Sequence, residues 1–229
     1  MNGAGPQMLR RALSSVRSQD VKGFGLEVVI SDQSEDETLA RAIKQDSMTF
    51  AGSVHYERAE TRTKSAAANL NQAFQLSSGK FIKILFQDDY LTKPNSLRLS
   101  VEAMLEESAS WSLVGSVDTD GERVLASRIP EFHDGIHLGR NTISSPSVLC
   151  VRRECWAPFD TNLRWLMDVD VYKRLFVAHG PPAIVPTVLV ANGVGAHQTS
   201  KRITRSRMRF ERAYSFLKHS IGATNLSKP

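Results

Sequence analysis

Two adjacent carboxylates, Asp88 and Asp89, end the apolar run Lys80-Phe81-Ile82-Lys83-Ile84-Leu85-Phe86-Gln87. A short run with little helical period reads as a buried strand. Acids at the carboxyl end of a strand in an α/β sheet lie where such folds bind ligands. Side by side they repel, so the pair wants protons or a cation. A divalent metal carrying a phosphate suits them, because hard cations take oxygen ligands. An isolated Asp-Asp pair can equally be two solvated loop acids. Three more residues fall at comparable places: Asp32 ends an earlier strand, Asp168 opens a helix, and His197 follows the last strand. Singly, each has a plain structural reading as a turn residue, a helix cap or a polar loop residue. Jointly they fit one scheme of a base-recognising acid, a metal pair, a general base and an imidazole ligand.

The elements that must hold these residues alternate. Pro6 suits a first helical turn, and Leu9, Ala12, Leu13 and Val16 follow at helical spacing. Leu26 to Ile30 reads as a strand running into Ser31-Asp32. Ser34 and Glu37 have capping-box form ahead of a helix carrying Leu39, Ala42 and Ile43. Val54 to Tyr56 is a short strand. Ser65 to Leu76 is a helix, with Gly79 as its stop. The strand ending in the Asp pair comes next, then a helix marked by Leu97, Val101, Met104 and Leu105. This order predicts an α/β sheet with parallel strands. Beyond it, Trp111–Val117 and Arg123–Ala126 read as strands around Asp118-Thr119-Asp120-Gly121. Residues 127–145 lack a period. Ser147–Val151 is a strand, Asp168–Ala178 a helix ended by Gly180-Pro181-Pro182, and Ala183–Val190 a last strand.

The chain has 229 residues and a formal net charge of +5, enough for one sizeable core with a tail. No apolar run is long enough to span a bilayer, and the start shows no charged-then-apolar export pattern. Cys150 and Cys155 match no zinc or redox spacing, which points to reduced thiols and a cytoplasmic setting. Lys201, Arg202, Arg205, Arg207, Arg209 and Arg212 crowd near the C-terminus.

Several segments together resemble the family 2 glycosyltransferases of GT-A fold. Glu27-Val28-Val29-Ile30-Ser31-Asp32-Gln33-Ser34-Glu35-Asp36-Glu37-Thr38 is similar to the family's strand and Asp-Asp-Gly-Ser-Thr-Asp-x-Thr segment. Ser65-Ala66-Ala67-Ala68-Asn69 resembles its helix start with an Asn. Gly79-Lys80-Phe81-Ile82 through Gln87-Asp88-Asp89 resembles the strand before the DXD-type metal motif. Phe159-Asp160 and Met167-Asp168-Val169-Asp170-Val171-Tyr172-Lys173-Arg174-Leu175 resemble the Phe-Asp and Glu-Asp-x-Asp-Leu-Trp-x-Arg-Leu block. The resemblance implies a Rossmann-like mixed sheet flanked by helices over residues 1–200, followed by a basic helix and tail over 201–229. It implies inverting transfer from a nucleotide-diphosphate sugar to an acceptor hydroxyl of a glycan, a lipid-linked molecule or another compound. By position, Asp32 would contact the base, Asn69 would help hold the donor, and Asp88 would sit by the ribose or metal. Asp89, with His197 as candidate second ligand, would hold Mn2+ or Mg2+, and Asp168 would be the catalytic base. Gln87 and Met167 stand where the family has acids.

The opening Met1-Asn2-Gly3-Ala4-Gly5-Pro6 lacks the apolar strand and turn with which family members begin. In the resembled fold that strand lies between the one ending at Asp32 and the one ending at Asp89. The expectation is a start further upstream, or a fragment, with both neighbours left unpaired. A truncated, non-catalytic basic binding or scaffolding module is the rival reading. His133 and His137 are four apart, but Gly135 between them speaks against a metal-binding helix. Ser145 and Ser147 could line an acceptor pocket or serve as turn residues. In the tail, Ile203, Phe210, Tyr214 and Leu217 recur opposite a basic face. That helix could lie on an anionic membrane through 201–218, at the inner face of the membrane, or pack on its own domain. No motif there supports nucleic-acid binding.

Overall fold

A computed structural model describes residues 4–34, 37–47, 52–59, 65–195 and 202–225. The first half alternates as its hydrophobic periods predict. Helix α1 (Ala4–Arg17) leads to strand β1 (Glu27–Asp32), α2 (Thr38–Ser47), β2 (Ser53–Arg58) and α3 (Ala66–Leu76). Ser65 caps α3 by accepting the Ala68 N–H. The helix stops at Leu76, and Ser77 rather than Gly79 closes it. Next come β3 (Phe81–Lys83), β4 (Tyr90–Leu91) and α4 (Ser96–Glu106). The second half holds β5 (Trp111–Thr119), β6 (Val124–Arg128), β7 (Leu149–Arg152), α5 (Met167–His179), β8 (Ala183–Gly193) and α6 (Arg205–Asn225).

The strands form two sheets. One is a parallel pair, β1 beside β2. The other has six strands in the order β3-β7-β5-β8-β4, with β6 added to β5. There β5 and β8 are parallel and the remaining pairings antiparallel, so the sheet is mixed rather than parallel throughout. β5 has neighbours on both edges, and Trp111, Leu113 and Val114 are fully buried. They form one core with Val148, Leu149, Leu163, Leu166, Tyr172, Leu175 and Leu189. A smaller cluster of Leu9, Leu13 and Ile43 ties α1 and α2 to Val28, Ile30 and Tyr56 on β1 and β2.

Among the described residues, no strand lies between β1 and β3. The apolar run from Lys80 to Phe86 pairs regularly with β7 only at Phe81–Lys83. A cavity of about 1630 Å³ separates the two strands, lined by Leu13, Val28, Ile30, Ile82 and Ile84 among others. It opens continuously onto the residues with chemistry.

Candidate active site

Strand ends and helix starts bring Asp32, Asn69, Asp88, Asp89 and Asp168 to the walls of that one cavity. Asp32, the last residue of β1, is buried. Its carboxylate accepts the Ser34 N–H (2.7 Å), the Ser34 hydroxyl (2.8 Å) and the Tyr56 hydroxyl (2.9 Å). Those contacts fix the loop after β1. Burial and this carboxylate together push the Tyr56 phenol up to about 12. Asn69, in the first turn of α3, donates to Ser31 O (2.8 Å) and accepts the Ser31 hydroxyl (2.6 Å). It therefore clamps the end of β1 beside Asp32.

Asp88 and Asp89 form the turn into β4, with Gln87 exposed beside them. Asp89 is buried. Oδ1 accepts the Gly193 N–H at 2.8 Å, and Oδ2 lies 3.1 Å from Ser145 Oγ. β8 must end on glycine here, because a Cβ on Gly193 would stand 2.3 Å from Asp88 O. Burial, then the like charge of Asp88, raises Asp89 to about 7. Lys83 lies behind, donating to Ser147 O and Leu149 O, and burial lowers it to about 8. A buried carboxylate that resists ionising beside a second acid is the setting a cation would relieve.

Asp168 is the second residue of α5. Oδ1 accepts its neighbour's N–H from Val169 (2.8 Å), and Oδ2 accepts the Asn141 amide (2.8 Å). Burial within the surrounding protein raises Asp168 to about 6, although one face of the side chain meets the cavity. Asp170, two residues on, points the other way. It is wholly buried against Arg174, Lys218 and His219, and these partners hold it down at about 2 against its burial.

The remaining sequence candidates separate. Ser145 lines the cavity and bridges Asp89 to Asn192 Oδ1 at 2.8 Å. Ser147 does not line an acceptor pocket: it is fully buried, and its hydroxyl accepts the Phe86 N–H (2.9 Å). His133 and His137 are not on an α-helix. Their bonded ring nitrogens meet Arg140 O and Asp134 O in their own loop. His197 lies outside the described residues.

Three contributors escaped the sequence reading. Asn141 orients Asp168 from an aperiodic loop. Asn192 links Ser145 to Asp118 and Ser144. Glu211 of α6 is fully buried and accepts the backbone N–H groups of Arg164, Trp165 and Leu166 (3.0, 2.8 and 3.0 Å). It thereby fixes the segment that enters α5. The capping chemistry of an acid at a helix start was the available signal, but the acid comes from more than forty residues away, roughly the span of a whole supersecondary unit.

The model of glycosyl transferase family 2 matches residues 2–176. The chain belongs to that family. Its structure is similar to that of Staphylococcus aureus TarS residues 1–349 in complex with UDP-GlcNAc: TM-score 0.68, 16% identity, 92% of this chain and 66% of that one. It is similar also to mannosyltransferase PcManGT from Pyrobaculum calidifontis in complex with GDP-Man and Mn2+, with TM-score 0.65, 19% identity, 100% of this chain and 63% of that one. These likenesses establish a GT-A fold. The chain spans from about a third to two thirds of the length of the structures it matches. No curated protein sequence matches it.

Proposed function

We propose that the protein is an inverting, divalent-metal-dependent glycosyltransferase acting on a nucleoside-diphosphate sugar. One observation carries the reading: five residues scattered from Asp32 to Asp168, each expected from sequence to serve the donor or the chemistry, line a single cleft. The family membership and the nucleotide-sugar complexes of similar structures support it.

In this reading the loop fixed by Asp32 and Asn69 receives the nucleoside. Arg164, on the wall of the cleft, supplies a cation toward the diphosphate. The donor set suits Mn2+ or Mg2+. Asp88 and Asp89 are hard oxygen ligands, and among the described residues no third His, Cys, Asp or Glu gathers beside them. Donor oxygens and water would complete the shell. When bound, the metal offsets charge on the departing diphosphate. Asp168 takes the acceptor proton as the hydroxyl attacks the far face of the sugar. Asn141 and the Val169 N–H hold both its oxygens during that step. The acceptor is a glycan, a lipid-linked molecule or another hydroxyl compound, in polysaccharide or glycoconjugate synthesis.

Among the described residues β1 and β3 each pair along one edge only, which favours a second reading, a non-catalytic binding module. Donor transfer and melting separate the two. With Mn2+, UDP- or GDP-sugars should raise the melting temperature and yield free nucleoside diphosphate in a donor screen. Asp89→Ala should keep a cooperative melt but lose the metal-dependent shift. Binding without turnover across donors and acceptors would favour the module.

A further inference from the structure

Helix α6 has two faces with opposite business. Its inner face is polar and spent on its own domain. Glu211 and Ser215 are fully buried there. Lys218 reaches Asp160 (2.7 Å) and Asp170 (2.9 Å), and Ser215 donates to His137 O (2.9 Å). Of the apolar residues spaced along the helix, Tyr214 is half-buried and packs against the core, while Phe210, Phe216 and Leu217 face out, 53%, 55% and 57% exposed. Interleaved with them, at about 100° per residue, stand Arg205 and Arg209, both exposed. Neither has a carboxylate partner among the described residues. The only acid of α6 is Glu211, and it is buried, so the outer face carries no negative charge.

We propose that this outer face docks the protein on an anionic membrane surface. Its chemistry favours lipid over other occupants. Aromatic and aliphatic side chains between arginines match the acyl–headgroup boundary, where rings and chains sink while guanidinium groups stay with phosphates. A nucleic acid would use the arginines but leave Leu217 and Phe216 in water. The helix lies on the surface, since among the described residues no helix is long and apolar enough to cross a bilayer. Through Glu211 the same helix holds the Arg164–Leu166 segment beside Asp168. Docking would thus set the cleft at a fixed height above the lipid.

The test is co-sedimentation of the full chain with phosphatidylcholine vesicles, neutral or containing about one third phosphatidylglycerol as an anionic surface. The protein should pellet with the anionic vesicles only, and be released when salt is raised about tenfold. Arg205→Glu with Arg209→Glu should weaken binding at least about 25-fold, since each basic residue near such a surface contributes roughly fivefold. Phe216→Ser with Leu217→Ser should weaken it about tenfold at unchanged charge. All four positions are exposed, so both variants should melt as wild type does. Equal pelleting with neutral vesicles, no pelleting with either, or no response to the Phe216 and Leu217 changes overturns the proposal. So does retention on RNA that outcompetes the vesicles.

Discussion

The parallel pair β1–β2 and the six-stranded sheet are made of similar sequence, yet they differ in how they are held. β5 and β8 have partners along both edges, and Trp111, Leu113, Leu189 and Val190 are wholly or almost wholly buried. Val28, Val29 and Ile30 are as apolar but remain half-buried. The difference is the space beside them: among the described residues β1 pairs with β2 alone, and it faces a cavity where β5 faces a strand. Hydrophobic pattern specifies which side chains can be buried, while pairing on the second edge decides whether they are. The division is also one of labour. Asp32 and Asn69, on the weakly paired side, have donor-holding roles in the proposed reaction, and Asp168, on the closed side, does the proton chemistry.

The sharpest way to break that division is to substitute one residue on each side. Asp168→Asn keeps the size and can still accept one of the two N–H groups that Asp168 accepts, but its amide nitrogen cannot accept the other and the side chain cannot take a proton. Transfer should fall about 10³-fold, near the worth of a positioned base, with donor affinity little changed. Asp32→Ala should instead raise the donor KM more than it lowers kcat. Equal kcat losses at both positions would erase the distinction. Native-state hydrogen exchange probes the same contrast without activity. Amides of Val28–Ile30 should exchange at least about a hundredfold faster than those of Leu113–Val114, because segments with few packed contacts open at lower free energy. Adding an apolar strand and turn of about ten residues ahead of α1 should slow β1 exchange and raise the melting temperature. Unchanged exchange would mean that the slot does not accept a strand.

Much of this was legible beforehand, for reasons that particular residues make plain. Apolar spacing located α1, α3, α4 and α5, and turn residues located the β5–β6 hairpin. Asp32, Asp88, Asp89 and Asp168 stood out as acids at strand ends and a helix start against an alternating background, whereas Asn69 entered only through the family resemblance. Asn141 was not, since it lies in a loop without period and its meaning depends on a side chain 27 residues away. Ser147 stayed open because a hydroxyl beside a proline reads alike whether it faces a ligand or a backbone amide, and the structure gives it the second role. α6 was half legible. The sequence shows its apolar stripe and basic face, but not that a buried Glu211 would leave Phe210 and Leu217 facing out while Tyr214 packs on the core.

That buried acid gives the next smaller effect, on the closed side alone. Glu211→Ala leaves three backbone N–H groups and Arg207 without their acceptor. Leaving buried donors without their acceptor costs about 1–3 kcal/mol, while Arg207, 37% exposed, can turn to water. Thermal melting should show a loss of that size, and α6 amides should lose protection before those of β5. Tyr56→Phe, which removes one bond to Asp32 on the other side, should cost only about 1 kcal/mol. A Glu211→Ala protein as stable as Tyr56→Phe would mean that α6 is dispensable to the closed half.

The smallest effect is on pH, and its sign follows from Asp168. Burial lifts its pKa from the usual 3.8 to about 6. As the base, it must be ionised, so transfer should climb about tenfold per pH unit toward pH 6 and level off above it. Stability should move the other way. The folded protein holds this proton more tightly than the unfolded chain does, so the contribution is complete below the unfolded value and is lost as pH rises through about 6. Asp168→Asn cannot ionise and should gain stability relative to wild type over the same window. Asn141→Ala sharpens the point. It removes a hydrogen bond that favours the carboxylate, so the rate inflection should shift to higher pH. The measurements are a pH–rate profile of wild type and Asn141→Ala, and paired melts of wild type and Asp168→Asn. An inflection that stays in place in Asn141→Ala, together with parallel melts for Asp168→Asn, would remove the base from Asp168 and leave it a helix-start carboxylate.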